Sequence, residues 1–135
     1  MNNFELSEKS ESKLILCHPD IQRVVRHAIN ICEVDFGVGE TERDYVRQLM
    51  MIETGASTTI KSRHIKREGD FAGVFAVDLY AWVDGGISWD MRYYKKIAKA
   101  MFKAAIKEGV DVEWGGLWNN PVDGPHFQLS WIQYP

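Results

Sequence analysis

A chain of 135 residues with 45% hydrophobic and 26% charged side chains has room for one domain with a real core and not for two. Its net charge of −3 gives no overall basic field for nucleic acid or an anionic membrane, and no apolar run approaches the roughly 18 residues of a bilayer span. The start, Met1-Asn2-Asn3-Phe4-Glu5, has neither a basic n-region nor an apolar h-region, which predicts no cleaved signal and accumulation in the cytoplasm of the cell that makes it.

Ser7 to Lys13 reads as a short polar lead. Pro19 then opens a helix in which Ile21, Val24, Val25, Ala28, Ile29 and Cys32 recur at three and four residues, an apolar stripe with proline in the first turn, where its missing N–H costs nothing. Val34–Val38 reads as a short strand. Thr41-Glu42-Arg43-Asp44 resembles a capping box for a helix from Thr41 to about Thr54, with Tyr45, Val46, Leu49 and Met50 as its apolar face and Gly55 as its stop. Lys66–Gly73 is polar and reads as a surface loop. The longest helix is expected over Trp89–Glu108, with Ser88 as cap, Tyr94, Ile97, Ala98, Met101, Phe102 and Ala105 inward and Gly109 after its end. Strands are expected at Phe75–Ala81, Val110–Trp114 and Phe127–Ile132. Helices and strands do not alternate strictly, which predicts an α+β domain over 1–135, a small antiparallel sheet with about three helices packed around it. Cys17 and Cys32 lack CxxC spacing and read as reduced, partly buried thiols.

His18, before Pro19, and His27, on the polar side of its helix, read as capping or surface residues. His126 follows the turn Gly124-Pro125 and opens a strand, which fixes it while leaving its ring above the sheet edge. Asp78 stands among Ala76, Val77, Leu79 and Ala81. A buried carboxylate there needs a partner or a metal, whereas an outward-facing one needs neither. Asp123 is either an Asp-Gly turn residue or an acid/base. Two imidazoles (His64, His126), one strand-borne carboxylate and a second carboxylate three residues before the later His are the inventory of a catalytic zinc site. Trp114-Gly115-Gly116-Leu117-Trp118 offers two flat side chains, for the wall of a groove or for the core.

Ser62-Arg63-His64, Ala76-Val77-Asp78-Leu79, Trp114 to Trp118 and Asp123-Gly124-Pro125-His126-Phe127 together resemble the bacteriophage endolysins of the L-alanyl-D-glutamate peptidase type. These belong with the zinc D-Ala-D-Ala carboxypeptidases. His18-Pro19-Asp20, Val34 to Val38, Arg43, Gln48 and Gly55-Ala56-Ser57 fall in the same order, so the likeness covers nearly the whole chain. It implies a Hedgehog/DD-peptidase-like fold, zinc held by His64, Asp78 and His126, Asp123 as catalytic acid/base, and Arg43 on the substrate carbonyl or carboxylate. Ser62, Trp114 and Trp118 become substrate contacts. The substrate implied is the peptidoglycan peptide stem, with no nucleic acid, no stable membrane insertion, and a monomeric enzyme kept in the host cytoplasm until a separate membrane-permeabilising protein releases it. A D-Ala-D-Ala carboxypeptidase or a non-catalytic wall-binding module are the alternatives. One departure stands out: His64 and Asp78 are 14 residues apart, where the family pattern SxHxxGxAxD puts about seven. An insertion within Lys66–Gly73 accommodates this, because ligands must meet in space and not in sequence. Asp70 is the rival ligand.

Overall fold

The computed structural model, which describes residues 4–55, 62–66, 73–119 and 121–135, has the expected α+β architecture. The elements are α1 (Glu8–Leu14), α2 (Pro19–Ile31), β1 (Asp35–Glu40), α3 (Tyr45–Glu53), β2 (Ala76–Val83), β3 (Gly86–Ser88), α4 (Met91–Glu108), β4 (Val112–Trp114) and β5 (His126–Leu129). β2 organises the sheet. β1 runs antiparallel along one edge of it, with Val38 opposite Leu79. The other edge is shared by β5 at Ala76–Asp78 and β3 at Ala81–Val83, and β4 pairs with β5 beyond. The β2–β3 hairpin turns on Asp84-Gly85, both at positive φ, the conformation a tight two-residue connection demands.

The pleat sends alternate residues to opposite faces. Val77, Leu79 and Ala81 of β2 and Phe127 and Leu129 of β5 are fully buried in a core shared with Ile21, Val24, Val25 and Ala28 of α2 and Ile97 and Met101 of α4. Burying each of the Val, Leu, Ile, Phe and Met side chains among them contributes about 1.5–3 kcal/mol. The Tyr94 hydroxyl donates to Ser88 O (2.8 Å) and accepts from Ala81 N–H (3.1 Å), fastening α4 to the β2–β3 hairpin. His18 caps α2 as expected, its Nδ1 accepting from Asp20 N–H at 3.0 Å. Cys17 and Cys32 are buried free thiols, and burial pushes the Cys17 thiol up to about 12.

Several expectations are corrected. The polar lead is helical: Ser7 Oγ accepts from Ser10 N–H (3.1 Å) at the start of α1. With Leu14 as its sole buried apolar residue, α1 offered no period to read. α3 begins at Tyr45, not Thr41, because the Asp44 carboxylate caps it through Arg47 N–H (2.7 Å), while Thr41 Oγ1 donates to Lys13 O (2.9 Å). Of the expected apolar face of α3, Val46, Leu49 and Met50 are exposed, and Gln48 is the buried position among its described side chains. β5 stops at Leu129. Trp131 lies under the Arg63 guanidinium, 3.3 Å from its ring centroid, and Ile132 is exposed, so the expected strand extension to Ile132 is a turn.

α4 starts at Met91 with Asp90 as cap, accepting from Arg92 N–H (2.9 Å), and ends at Gly109 in the left-handed region. Its expected inward residues are all buried or half-buried. Its exposed positions are Arg92, Lys95, Lys96, Lys99, Lys103, Ile106 and Lys107. Like charges four residues apart on a helix repel, and Arg92–Lys96, Lys95–Lys99, Lys99–Lys103 and Lys103–Lys107 are all such pairs.

Candidate active site

With Phe127 and Leu129 turned to the core, His126 and Gln128 must project from the opposite face of the sheet, as does Asp78 between Val77 and Leu79. Asp78 stands directly opposite His126 in the β2–β5 register. The outward-facing reading of Asp78 and the ligand reading therefore coincide, because the polar face of the sheet is the floor of the site. His64 arrives from a tight turn in which Ile65 N–H donates to Ser62 O (3.1 Å) and Ser62 Oγ accepts from His64 N–H (3.2 Å). Arg43 N–H to His64 O (2.7 Å) and Phe75 N–H to Arg63 O (3.1 Å) stitch that turn to its neighbours.

The three side chains converge. His64 Nε2 lies 3.1 Å from Asp78 Oδ1 and 3.1 Å from His126 Nδ1, and the latter two atoms are 3.2 Å apart. Each imidazole has its tautomer set from behind. His64 Nδ1–H donates to Thr41 O (2.8 Å), which leaves the lone pair on Nε2. His126 Nε2–H donates to Gln128 Oε1 (2.7 Å), whose amide in turn donates to Glu113 Oε1 (2.8 Å), which leaves the lone pair on Nδ1. Two lone pairs and a carboxylate oxygen thus face one point, an arrangement that a metal ion there would satisfy. In a tetrahedral zinc site with bonds of about 2.0–2.2 Å, ligand atoms are separated by about 3.3–3.5 Å, within a few tenths of an ångström of this triangle. The residues fit a divalent ion, with second partners already in place to orient the rings.

The electrostatics agree. Burial works to raise the Asp78 carboxyl, but the hydrogen bonds and charge of His126 and His64 override it and hold the group well below the usual carboxylate range. Burial lowers His126, yet Asp78, Gln128 and the Asp123 charge together raise it more, so the ring sits above an ordinary imidazole. Asp123 behaves oppositely to Asp78: burial first, then the Asp78 charge, raise it against the pull of His126, His64 and Arg43.

Asp78 and Asp123 share a groove of about 420 Å³ whose sides include Glu40, Arg47, Tyr80 and Trp89. Asp123 is positioned by its backbone, its N–H donating to Gly115 O (2.9 Å) and its O accepting from His126 N–H (3.2 Å). A Cβ on Gly115 would lie 2.4 Å from Asp123 O and 3.2 Å from His126 Cβ, so this turn closes only over glycine. Gly115→Ala is expected to cost about 1–3 kcal/mol of stability through overpacking and to lower hydrolysis more than it lowers Tm, because it displaces Asp123 and His126 together. Paired melting curves and rate measurements check this.

The structure brings His64, Asp78, His126 and Asp123 together, with Arg43 close by. The Arg43 guanidinium is buried and held by Glu40 (3.0 and 2.9 Å) and by Gln48 Oε1 (2.6 Å). Trp118 is half exposed beside the His126 ring, centroids 5.1 Å apart. Trp114 is corrected from groove wall to support: 7% exposed, it stacks on Phe127 and donates its indole N–H to Gly124 O (2.7 Å). Ser62 serves the His64 turn. Asp70 lies outside the described residues. Sequence reasoning missed Gln128 and Glu113, although a Gln two residues after a strand-borne His shares its face; Glu113 was reachable only through the β4–β5 register, where it stands opposite Gln128.

A His–Asp–His cluster able to hold a metal ion, with a separate carboxyl group on the polar face of a helix-backed sheet, has the makings of a metal-dependent hydrolase. Residues 2–129 match the family described as phage L-alanyl-D-glutamate peptidase, and the chain belongs to that family. The L-alanyl-D-glutamate peptidase of Escherichia phage T5 is 28% identical over 125 residues, covering 90% of this chain and 86% of that one. That of Listeria phage A118 is 30% identical over 95 residues, 70% of this chain and 30% of the longer phage protein. The crystal structure of the Serratia marcescens L-Ala D-Glu endopeptidase ChiX matches with a TM-score of 0.87 at 40% identity, over 99% of this chain and 96% of that one.

Proposed function

We propose that this protein is a zinc-dependent endopeptidase that cuts the L-Ala–D-Glu bond of the peptidoglycan stem and serves host cell lysis. The observation that carries the reading is the meeting of His64 Nε2, Asp78 Oδ1 and His126 Nδ1, with Asp78 and Asp123 lining an open groove, in a chain of this family. Two imidazole nitrogens and one carboxylate oxygen suit zinc among the common divalent ions. Bound there, zinc supplies Lewis acidity that makes water nucleophilic near neutral pH.

The remaining work falls to the chain. Asp123 accepts the proton of the attacking water as the new C–O bond forms, and returns a proton to the D-Glu nitrogen as the C–N bond breaks. Its raised pKa suits both halves of that exchange. Arg43, rigid between Glu40 and Gln48, sets a fixed positive charge near the developing oxyanion with little reorganisation. Trp118 forms a wall beside His126, Trp114 holds the Asp123–His126 turn from below, and Ser62 holds the His64 turn. One chain supplies every one of these groups, so a monomer suffices. On this reading the enzyme waits in the host cytoplasm until a separate membrane-permeabilising protein opens its way to the wall.

Digestion of purified muropeptides tests the reading. New N-terminal D-Glu, abolished by a chelator and restored by zinc, is the expected product. Free D-Ala instead would assign a carboxypeptidase, and no new end group a binding module.

A further inference from the structure

We propose that the outer face of α4 is a second docking surface, one that holds carboxylate-bearing strands of the peptidoglycan sacculus while the groove works. The proposal rests on the wall-peptidase reading for the identity of the polymer. The surface itself rests on charge. Every exposed position of α4 except Ile106 is Arg or Lys. At about 100° per residue the six cations fall within an arc of about 120° and extend for about 22 Å. The other ten Lys and Arg of the chain stand against 19 acids, so the net charge of −3 conceals a strongly segregated surface.

Folding does not account for this face. Arg92 pairs with Asp90 (2.7 Å) and Lys96 with Glu33 (3.9 Å); Lys95, Lys99, Lys103 and Lys107 make no ion pair with a described residue. A surface helix ordinarily mixes signs so that residues four apart attract. This one keeps its repulsion, a local conflict of the kind that marks a functional surface.

Position and chemistry select the occupant. Trp89 on the groove wall leads directly into α4, and Gly124, next to Asp123, packs against Met91 and Tyr94. A strand leaving the groove past Trp89 therefore meets Arg92 and then the lysines. The groove lining, Glu40, Asp78 and Asp123 with Arg47, offers one basic side chain, whereas the face of α4 offers six to a carboxylate polymer. A lipid interface would need an apolar helix face free to insert, but that of α4 is buried against α2 and the sheet. The stripe fits a hydrated polyanion.

The test uses Asp123→Asn protein, so that the wall is not digested, with and without Lys95→Gln, Lys99→Gln and Lys103→Gln together. Co-sedimentation with purified sacculi should weaken about tenfold in the triple variant at low ionic strength. The difference should vanish in about 0.5 M salt and on sacculi whose carboxylates have been amidated. With Asp123 intact, the triple variant should cleave a soluble stem peptide at the parent rate. Removal of like-charge repulsion should leave Tm equal or higher, so lost retention reports on the surface and not on unfolding. Unchanged retention, or retention insensitive to amidation, overturns the proposal. Tighter stripe-dependent binding to anionic vesicles or to DNA than to sacculi also overturns it, assigning the face to lipid or nucleic acid. Failure of the parent enzyme to cleave the soluble peptide would sink the peptidase reading instead, which the sedimentation result does not touch.

Discussion

Asp123→Asn should leave a folded protein that still binds close to one metal ion per chain, while hydrolysis of the stem peptide falls by about 10²–10⁴-fold, the range a positioned acid/base supplies. The reasoning is geometric before it is electrostatic. Asp123 is held by backbone hydrogen bonds to Gly115 and His126, so replacing one carboxylate oxygen by an amide changes the proton chemistry without moving the turn. The carboxyl faces the groove alongside Asp78 but is not among the three atoms that converge. Metal analysis of the purified variant beside a single-turnover rate separates the outcomes. Loss of metal together with activity would make Asp123 a ligand and leave the reaction without its assigned base.

Asp78→Ala should act in the opposite order, with metal content falling first and activity following. The two imidazoles would remain 3.1 Å apart with their lone pairs still directed inward by Thr41 and Gln128, but without the anion that balances a divalent charge. Loss of a ring's supporting partner costs about 10–100-fold in metal affinity, and loss of a ligand should exceed that. The metal-free protein carries a second signature. Because Asp78 titrates below the usual range, its contribution to stability is complete above the ordinary Asp value and is lost as pH falls through the depressed one. The variant should therefore show a smaller loss of stability on acidification than the parent. Full metal retention would transfer the carboxylate role to Asp70 or another group, and a competition titration with a chromophoric chelator decides.

How far the site could be read from the chain differs residue by residue. His126 was legible because a turn followed by alternating residues places a ring at a strand mouth. Asp78 was half legible: its strand was clear, but whether it faced core or site depended on the phase of the pleat, fixed by Val77 and Leu79 packing on α2 and α4. His64 was legible as a candidate imidazole but not as a placed one, since its turn draws its order from hydrogen bonds to Arg43 and Phe75 that no local pattern announces. Trp114 and Trp118 are four residues apart in one motif, yet one braces the turn and the other borders the site. α3 shows the same limit, for its period correctly indicated a helix but not that Val46, Leu49 and Met50 would be exposed.

Local pattern alone was enough to mark α2, α3 and α4 as helices, to name His18 as the cap of α2 and Gly109 as the stop of α4, and to supply the chemical inventory of two imidazoles and two carboxylates and the family to which it belongs. Those properties reside in neighbouring residues and in side-chain chemistry, both present before folding. Folding alone set Asp78 against His126 across two strands, put Gln128 and Glu113 behind that ring, and left the cations of α4 on one open face. Register and burial arise when distant surfaces meet, and a linear pattern carries the period of an element without the identity of what will pack against it.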